Sequence, residues 1–423
     1  MLTHILKMIW TQRRSNGWIF GELLVVACVL WFLVDKMWVD TRCYNAPLGY
    51  DITDTWRLRL ANLSPVAPGY VPDSLYESDD ARDLLTLVSR LRQAPEVEAA
   101  SLSYYSMPYS YGDSWRSIYP LGVDSAKYVG QSYHSLAASP AYFDVFRMTD
   151  RAGRPVSESL GKTRDEMVIT REAEDYFFDG KDAVGRQISL QEDLAEPRTI
   201  AAVLPTFRSN DFDRPENCSF IIMTEDDGLN EWTANNGVAN IELCVRMRQP
   251  LTDDEMYAFL ERMADRLVAN NLFVQGATRI ADQRDIQLSF QRNANAQKLA
   301  TMAFLLVNVF FGIVGTFWLR TERRRGEIGL RVALGSTRRG VGSYLYAEGL
   351  TLMALTLPAL LLFIVNMAAL DRLDTYRESL GIVRLLATIG VTYLLMAAMI
   401  GLGVCFSARK AVRMAPAEAL RYE

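Results

Sequence analysis

The chain has 423 residues, enough for two or three domains, with a mean hydropathy near zero that conceals very uneven patterning. Its 45 Lys and Arg against 50 Asp and Glu leave a net charge of −5, which argues against nucleic acid as a partner. Only His4 and His134 are present and no CxxC pair occurs, so a histidine-cluster or paired-cysteine metal centre is excluded.

In chain order, LTHILKMIW puts Leu2, Ile5, Leu6 and Ile9 on one helical face, the pattern of a helix lying on a membrane surface. The apolar run Gly17–Val34 follows Lys7, Arg13 and Arg14, and it ends in DKMW without a small-x-small cleavage site. It therefore predicts an uncleaved signal anchor. Three further apolar runs follow: Leu299–Leu319, Val341–Leu370 and Val383–Phe406. Each run suits a hydrocarbon layer roughly 30 Å thick, which takes about 20 helical residues. Pro358, in the middle of the third run, predicts a kink there. The segments 1–16, 320–339 and 407–423 together hold 14 basic and 4 acidic residues, whereas residues 35–297 hold 27 and 41. That asymmetry places both termini and the 320–339 loop inside, and the acidic domain outside.

Residues 41–290 alternate strand and helix patterns. WRLRLANL (Trp56–Leu63) alternates as a strand, ARDLLTLVSRLRQ (Ala81–Gln93) has helical spacing, and VEAASLSYY (Val97–Tyr105) returns as a strand. The rhythm recurs in IELCVRMRQ, then a helix over 251–271 with Thr252 and Glu255 forming a capping box, then NLFVQGATRI. These two repeats predict one α/β module from 41–109 and 238–290, interrupted by a β-rich subdomain over 110–237. From about Gln283 a helix is expected to run straight into the second membrane segment. The tyrosines 104, 105, 109, 111 and 119 surround Trp115, and packing at a strand edge explains them better than a recognition surface does. Cys43, Cys218 and Cys244 fall in the outer domain, where one pair could be bridged.

No catalytic residue emerges. Gly161-Lys162-Thr163 resembles the tail of a phosphate loop, but Val156 stands where such a loop needs glycine. Glu22 and Glu348 are ionisable groups inside apolar runs, which makes them candidates for polar contacts between helices. Between the second and third runs lies RTERRRGEIGLRVALGSTRR, Arg320–Arg339, with seven arginines. Its pattern predicts a short amphipathic helix capped at Gly335, with Ile328, Val332 and Ala333 on its apolar side.

ERRRGEIGLRVALGSTRRGV…YAEGL closely resembles the cytoplasmic signature of FtsX/MacB-type ABC transporter permeases, and APAEALRYE resembles their C-terminal ending. SPAYFDVF, AGRPVSE, EMVITREAEDYFF, DAVGRQI and TIAAVLP resemble, in order, pieces of the MacB-type periplasmic core domain. The resemblance implies four transmembrane helices in an inner membrane, with a large α/β periplasmic domain (41–290) inserted between helices 1 and 2. An FtsX-like permease region then covers 291–423. It implies a pair of permease subunits, identical or not, in contact with membrane lipid, and leaves room for a periplasmic adaptor or outer-membrane component. Where MacB proper carries a fused ATPase domain only about sixteen residues precede the first run, so the resemblance implies that ATP is bound by a separate cytoplasmic ATPase and that the chain itself holds no cofactor. The loop after the second helix corresponds to the family's coupling helix, whose matching positions here are Glu322, Arg325, Glu327, Ile328, Arg331, Ala333, Leu334 and Gly335. The function implied is mechanotransmission for export or extraction of lipoprotein, peptide, lipid or toxic compounds. The alternative is activation of an extracytoplasmic hydrolase, as in the cell-division members, whose outer domains are usually much smaller.

Overall fold

A computed structural model describes residues 11, 13–72, 79–110, 114–124, 128–161, 163–224, 227–323 and 338–412. In chain order the elements are α1 (Arg13–Tyr44), β1 (Thr55–Asn62), α2 (Asp80–Arg92), β2 (Val97–Tyr104), β3 (Trp115–Arg116), β4 (Tyr119–Pro120), β5 (Tyr133–Ala138) and α3 (Ala141–Val145). Next come β6 (Glu166–Thr170), α4 (Arg171–Phe178), β7 (Gln187–Ser189), β8 (Arg198–Leu204), β9 (Cys218–Ile222), α5 (Asp227–Asn236), β10 (Ile241–Met247) and α6 (Asp253–Arg262). The last are β11 (Val268–Ala269), β12 (Leu272–Arg279), α7 (Ile280–Arg323), α8 (Arg338–Leu355), α9 (Leu357–Ala369) and α10 (Ile382–Val412). Contacts divide the chain into two units, Asn45–Phe290 and the combination of Met1–Tyr44 with Gln291–Glu423.

In the first unit, alternation sets the sheet. Trp56 and Leu58 of β1 are buried while Arg59, on the opposite face of the strand, is exposed, so one face meets the core. Leu84, Leu87, Val88 and Leu91 recur at helical spacing on α2 and close over Leu58, Leu102, Leu243 and Val245. Asp79 caps α2 by accepting from the Arg82 N–H at 2.8 Å. At α6 both halves of the Thr252–Glu255 capping box are made. That helix ends at Arg262, well short of 271, because the chain turns back to pair β11 with β12.

The described strands within 110–237 continue the same sheet. The order is β11-β12-β1-β10-β2-β5-β9-β6-β8-β7-β4, with β3 beside β5. The join is β2 to β5, through Ser103 opposite Ala138 and Tyr104 opposite Ala137. Among the described residues only β5–β9 and β6–β8 are parallel. Tyr142, Phe143 and Phe146 from α3 and its C-cap fill a second core with Leu136, Phe220, Cys244 and Ile280. Leu243 and Cys244 are neighbours on β10 yet belong to different cores, as the two-residue period of a strand requires. Cys218 and Cys244 are buried free thiols, so no bridge joins the outer cysteines, and Cys43 lies in α1, not in the sheet unit. Tyr109 and Tyr119 are core residues, while Tyr105 and Trp115 are exposed.

Four candidate spans are found among the described residues: Gly17–Tyr44, Ile280–Gly312, Tyr346–Ala369 and Ile382–Val404. Leu23, Ala27 and Leu30 of α1 pack with Val309, Leu352, Met396 and Ile400. The third span breaks at Thr356, two residues before Pro358, because proline has no N–H for the helical ladder. Thr356 accommodates the break. Its Oγ1 donates to the Met353 carbonyl at 2.6 Å and lies 2.9 Å from the Tyr393 hydroxyl of α10.

Candidate functional site

The segment singled out for coupling is only partly visible. Glu322 belongs to the last turn of α7, while Arg325, Glu327, Ile328, Arg331, Ala333, Leu334 and Gly335 lie outside the described residues, as does the N-terminal amphipathic segment. Of the two intramembrane carboxylates, Glu348 is fully buried in the helical unit. Glu22 is half-buried, and its carboxylate lies against the backbone of Gly312 on α7, where any side chain at 312 would collide with it.

A different constellation dominates the helical unit, at the end where α1 finishes and α10 begins. Asp35 of α1 and Arg384 of α10 form a two-pronged pair, with Nε and Nη2 donating at 2.8 and 2.6 Å, and both residues are fully enclosed. The remaining Nη1 donates to the carbonyls of Asp374 (3.0 Å) and Glu378 (2.5 Å), which pins the link between α9 and α10. One helical turn further along α1, Asp40 is also buried. It accepts from Lys298 of α7 at 2.6 Å and from Arg377 of the link at 2.8 Å. Arg377 also holds Asp374, at 2.7 Å through Nε. Burial works against the charge on Asp374, but hydrogen bonds from Arg377 outweigh it and keep the carboxyl below its ordinary range. Burial likewise disfavours the Arg377 cation, and its bonds to Asp374 and Asp40 overcome this and raise its pKa.

This collar ties α1, α7, the 371–381 link and α10 together. Such pairs in a low-dielectric setting hold only with close geometry and satisfied remaining donors, and Arg384 meets both conditions. The charges sit at the borders of the apolar runs, where sequence reading saw only membrane boundaries and a balanced link. Trp31 adds a further tie between the same helices, its indole N–H donating to Thr388 at 3.0 Å.

Among the carboxylates of the sheet unit held by fixed partners are the buried Asp211 and the half-buried Glu216. Asp211 accepts from the Tyr109 hydroxyl at 2.7 Å and from Arg284 Nε at 3.1 Å. Glu216 lies 2.6 Å from His134 Nδ1 and accepts from the Ser209 N–H at 3.0 Å. For both, burial pushes the pKa up, and the hydrogen bonds, from Arg284 and Tyr109 or from His134 and Ser209, bring it below the ordinary value. A depressed carboxylate adds stability above its unfolded pKa, about 4. That stability is lost as pH falls through the lower folded value. The sheet unit is therefore expected to be pH-insensitive in this respect from about 7 to 5 and to weaken below about 4. Asp211→Asn should flatten the acid limb of a pH series of thermal unfolding curves. An unchanged limb would remove Asp211 from the acid response.

Residues 50–294 match the family model described as MacB-like periplasmic core domain. Among solved structures, a domain of a protein described as a permease from Porphyromonas gingivalis is 17% identical. The match covers 53% of this chain and 90% of that one, with a TM-score of 0.34. The extracellular domain of the noncanonic ABC-type transporter YknZ from Gram-positive bacteria is 11% identical over 52% of this chain and 100% of that one, at 0.30. The periplasmic region of MacB from Actinobacillus actinomycetemcomitans is 10% identical over 57% and 94%, at 0.29. No curated protein matches the chain.

Proposed function

The chain belongs to the family with a MacB-like periplasmic core domain and is an FtsX/MacB-like ABC transporter permease, and from that premise we propose that it works as a non-catalytic coupling subunit. A separate cytoplasmic ATPase docks on the basic 320–339 segment, and its hydrolysis cycle drives motion of the acidic outer domain. In this reading both termini are cytoplasmic, the Asn45–Phe290 unit is periplasmic, and two permease subunits act together. The cargo class is a lipoprotein, peptide, lipid or toxic compound.

The observation that carries the proposal is α7. It runs unbroken for 44 residues from the end of β12 to Arg323, into the first residues of the basic 320–339 segment. At 1.5 Å per residue such a helix is on the order of 65 Å long, and its hydrogen-bonded ladder resists bending. A push at one end is thus felt at the other. ATP moves the outer domain only if it binds one arrangement more tightly than the other.

Asn293→Pro tests this, since proline inside a helix breaks it at a cost of about 3 kcal/mol. With the cognate ATPase reconstituted in nanodiscs, hydrolysis should continue in the variant, while ATP-dependent distance changes between spin labels on the paired outer domains disappear. Distance changes equal to those of the unaltered protein would refute α7 as the relay.

A further inference from the structure

One cleft in the sheet unit has no part in the coupling scheme. It opens between α5, strand β8 and the loop after β7, with a volume of about 270 Å³. Three guanidinium groups from three separate segments line it: Arg116 on β3, Arg164 ahead of β6, and Arg198 at the start of β8. We propose that this cleft is a binding site for a carboxylate group, presented by a small organic acid or by an acidic peptide side chain.

Arg116 is the centre of the argument. Its guanidinium lies over the indole of Trp232, 5.5 Å from the ring centroid, so one face is covered by an aromatic plane. Its Nε is buried and makes no hydrogen bond, and Arg116 forms no ion pair among the described residues. A buried donor without an acceptor is costly, and more so on a charged group. The other two arginines are differently placed. Arg198 donates to the Arg164 carbonyl at 2.5 Å, and Arg164 is 3.6 Å from Glu231 in an exposed pair. Burial of Arg198 lowers its pKa, the mark of a cation short of water.

The charges that face the cleft decide the ligand class. Among the residues that line the cleft, Glu196 and Glu231 stand against the three arginines, a surplus of one formal positive charge; Asp165, which also acts on Arg198, does not line it. A monoanion neutralises that surplus. A planar carboxylate can also accept from Nε and a terminal nitrogen of one guanidinium side by side, the pairing for which arginine geometry is suited. A doubly charged phosphate would overcompensate and face the two glutamates. The volume admits the carboxylate and a few more atoms, so specificity rests on the charged end of the ligand.

The test uses the full-length protein in detergent micelles and isothermal titration with four probes: butyrate, the side-chain acid of N-acetylglutamate α-amide, neutral butyramide, and inorganic phosphate. Butyrate or the glutamate derivative should bind saturably, butyramide should not, and phosphate should bind more weakly than the better carboxylate. Whichever carboxylate binds tighter identifies the source as a free acid or a peptide side chain. Arg116→Gln should weaken that binding about tenfold or more, the loss expected for a charge-assisted hydrogen bond. Glu231→Gln removes a competing acid and should tighten it, a gain that a merely destabilised protein would not show. Lys181→Gln should change nothing. The proposal is overturned if neither carboxylate binds saturably, if butyramide or phosphate binds as well as the carboxylates, or if Glu231→Gln gives no gain. It is equally overturned if Arg116→Gln keeps both its unfolding curve and full affinity. None of these outcomes depends on whether the 320–339 segment docks an ATPase.

Discussion

Ile328→Asp is expected to abolish stable association with the cognate ATPase. In the sequence Ile328, Val332 and Ala333 are spaced to share the apolar side of a helix, and docking of such a helix would bury that side in its partner's groove. A carboxylate placed there loses the packing and is desolvated without a partner, at a cost of several kcal/mol. Central interface residues typically cost at least 2 kcal/mol when truncated, so affinity should fall by about thirtyfold at the least. The aspartate leaves every arginine in place, so the charge signal for membrane orientation is kept. Arg325→Glu with Arg331→Glu should have the same effect on binding, but it also weakens that signal and so needs a topology control. Co-purification from membranes in mild detergent is the measurement. Stoichiometric recovery of the ATPase with Ile328→Asp would remove the docking assignment.

The second large effect lies in the collar. Removing one member of an enclosed ion pair leaves the other charge buried alone, which costs about 3–5 kcal/mol. Asp35→Ala or Arg384→Met should therefore reduce the folded-to-unfolded ratio of the helical unit by two or more orders of magnitude, about 1.4 kcal/mol per decade. Replacing both, as Asp35→Leu with Arg384→Met, removes the orphaned charge and should restore much of the stability. The pair then separates two roles. If the collar also transmits motion among α1, α7 and α10, the double variant will be stable yet poorly coupled, with ATP hydrolysis no longer linked to outer-domain movement. Single variants as stable as the parent in nanodisc thermal unfolding would show that the pair is hydrated and carries little energy.

Local patterns disclosed much of this molecule. The alternation in WRLRLANL, the helical spacing of Leu84, Leu87, Val88 and Leu91, and the Thr252–Glu255 box all act within a few residues of themselves. The four apolar helices were legible for the same reason, and Pro358 announced the break at Thr356. Where distant parts of the chain decide the outcome, sequence reading went astray. The 251–271 segment has helical spacing throughout, but Val268 and Ala269 gain more by pairing with β12. Sequence reading made no statement on which sheet the strands within 110–237 join; that depends on β2 meeting β5, which no short pattern encodes. The collar was invisible because Asp35 and Arg384 are 349 positions apart, and each alone looks like a membrane border. Glu348 was visible because one acid in an apolar run has few ordinary explanations, and the structure buries it.

The sharpest check of the coupling account is the sidedness of two positions. In a cysteine-free background, Ser336→Cys marks the basic segment and Lys181→Cys marks an exposed site on the sheet unit. With a membrane-impermeant maleimide on spheroplasts, position 181 should label at once, and position 336 only after the membrane is permeabilised. Labelling of both positions in intact spheroplasts would put the arginine-rich turn beside the outer domain, out of reach of any cytoplasmic ATPase.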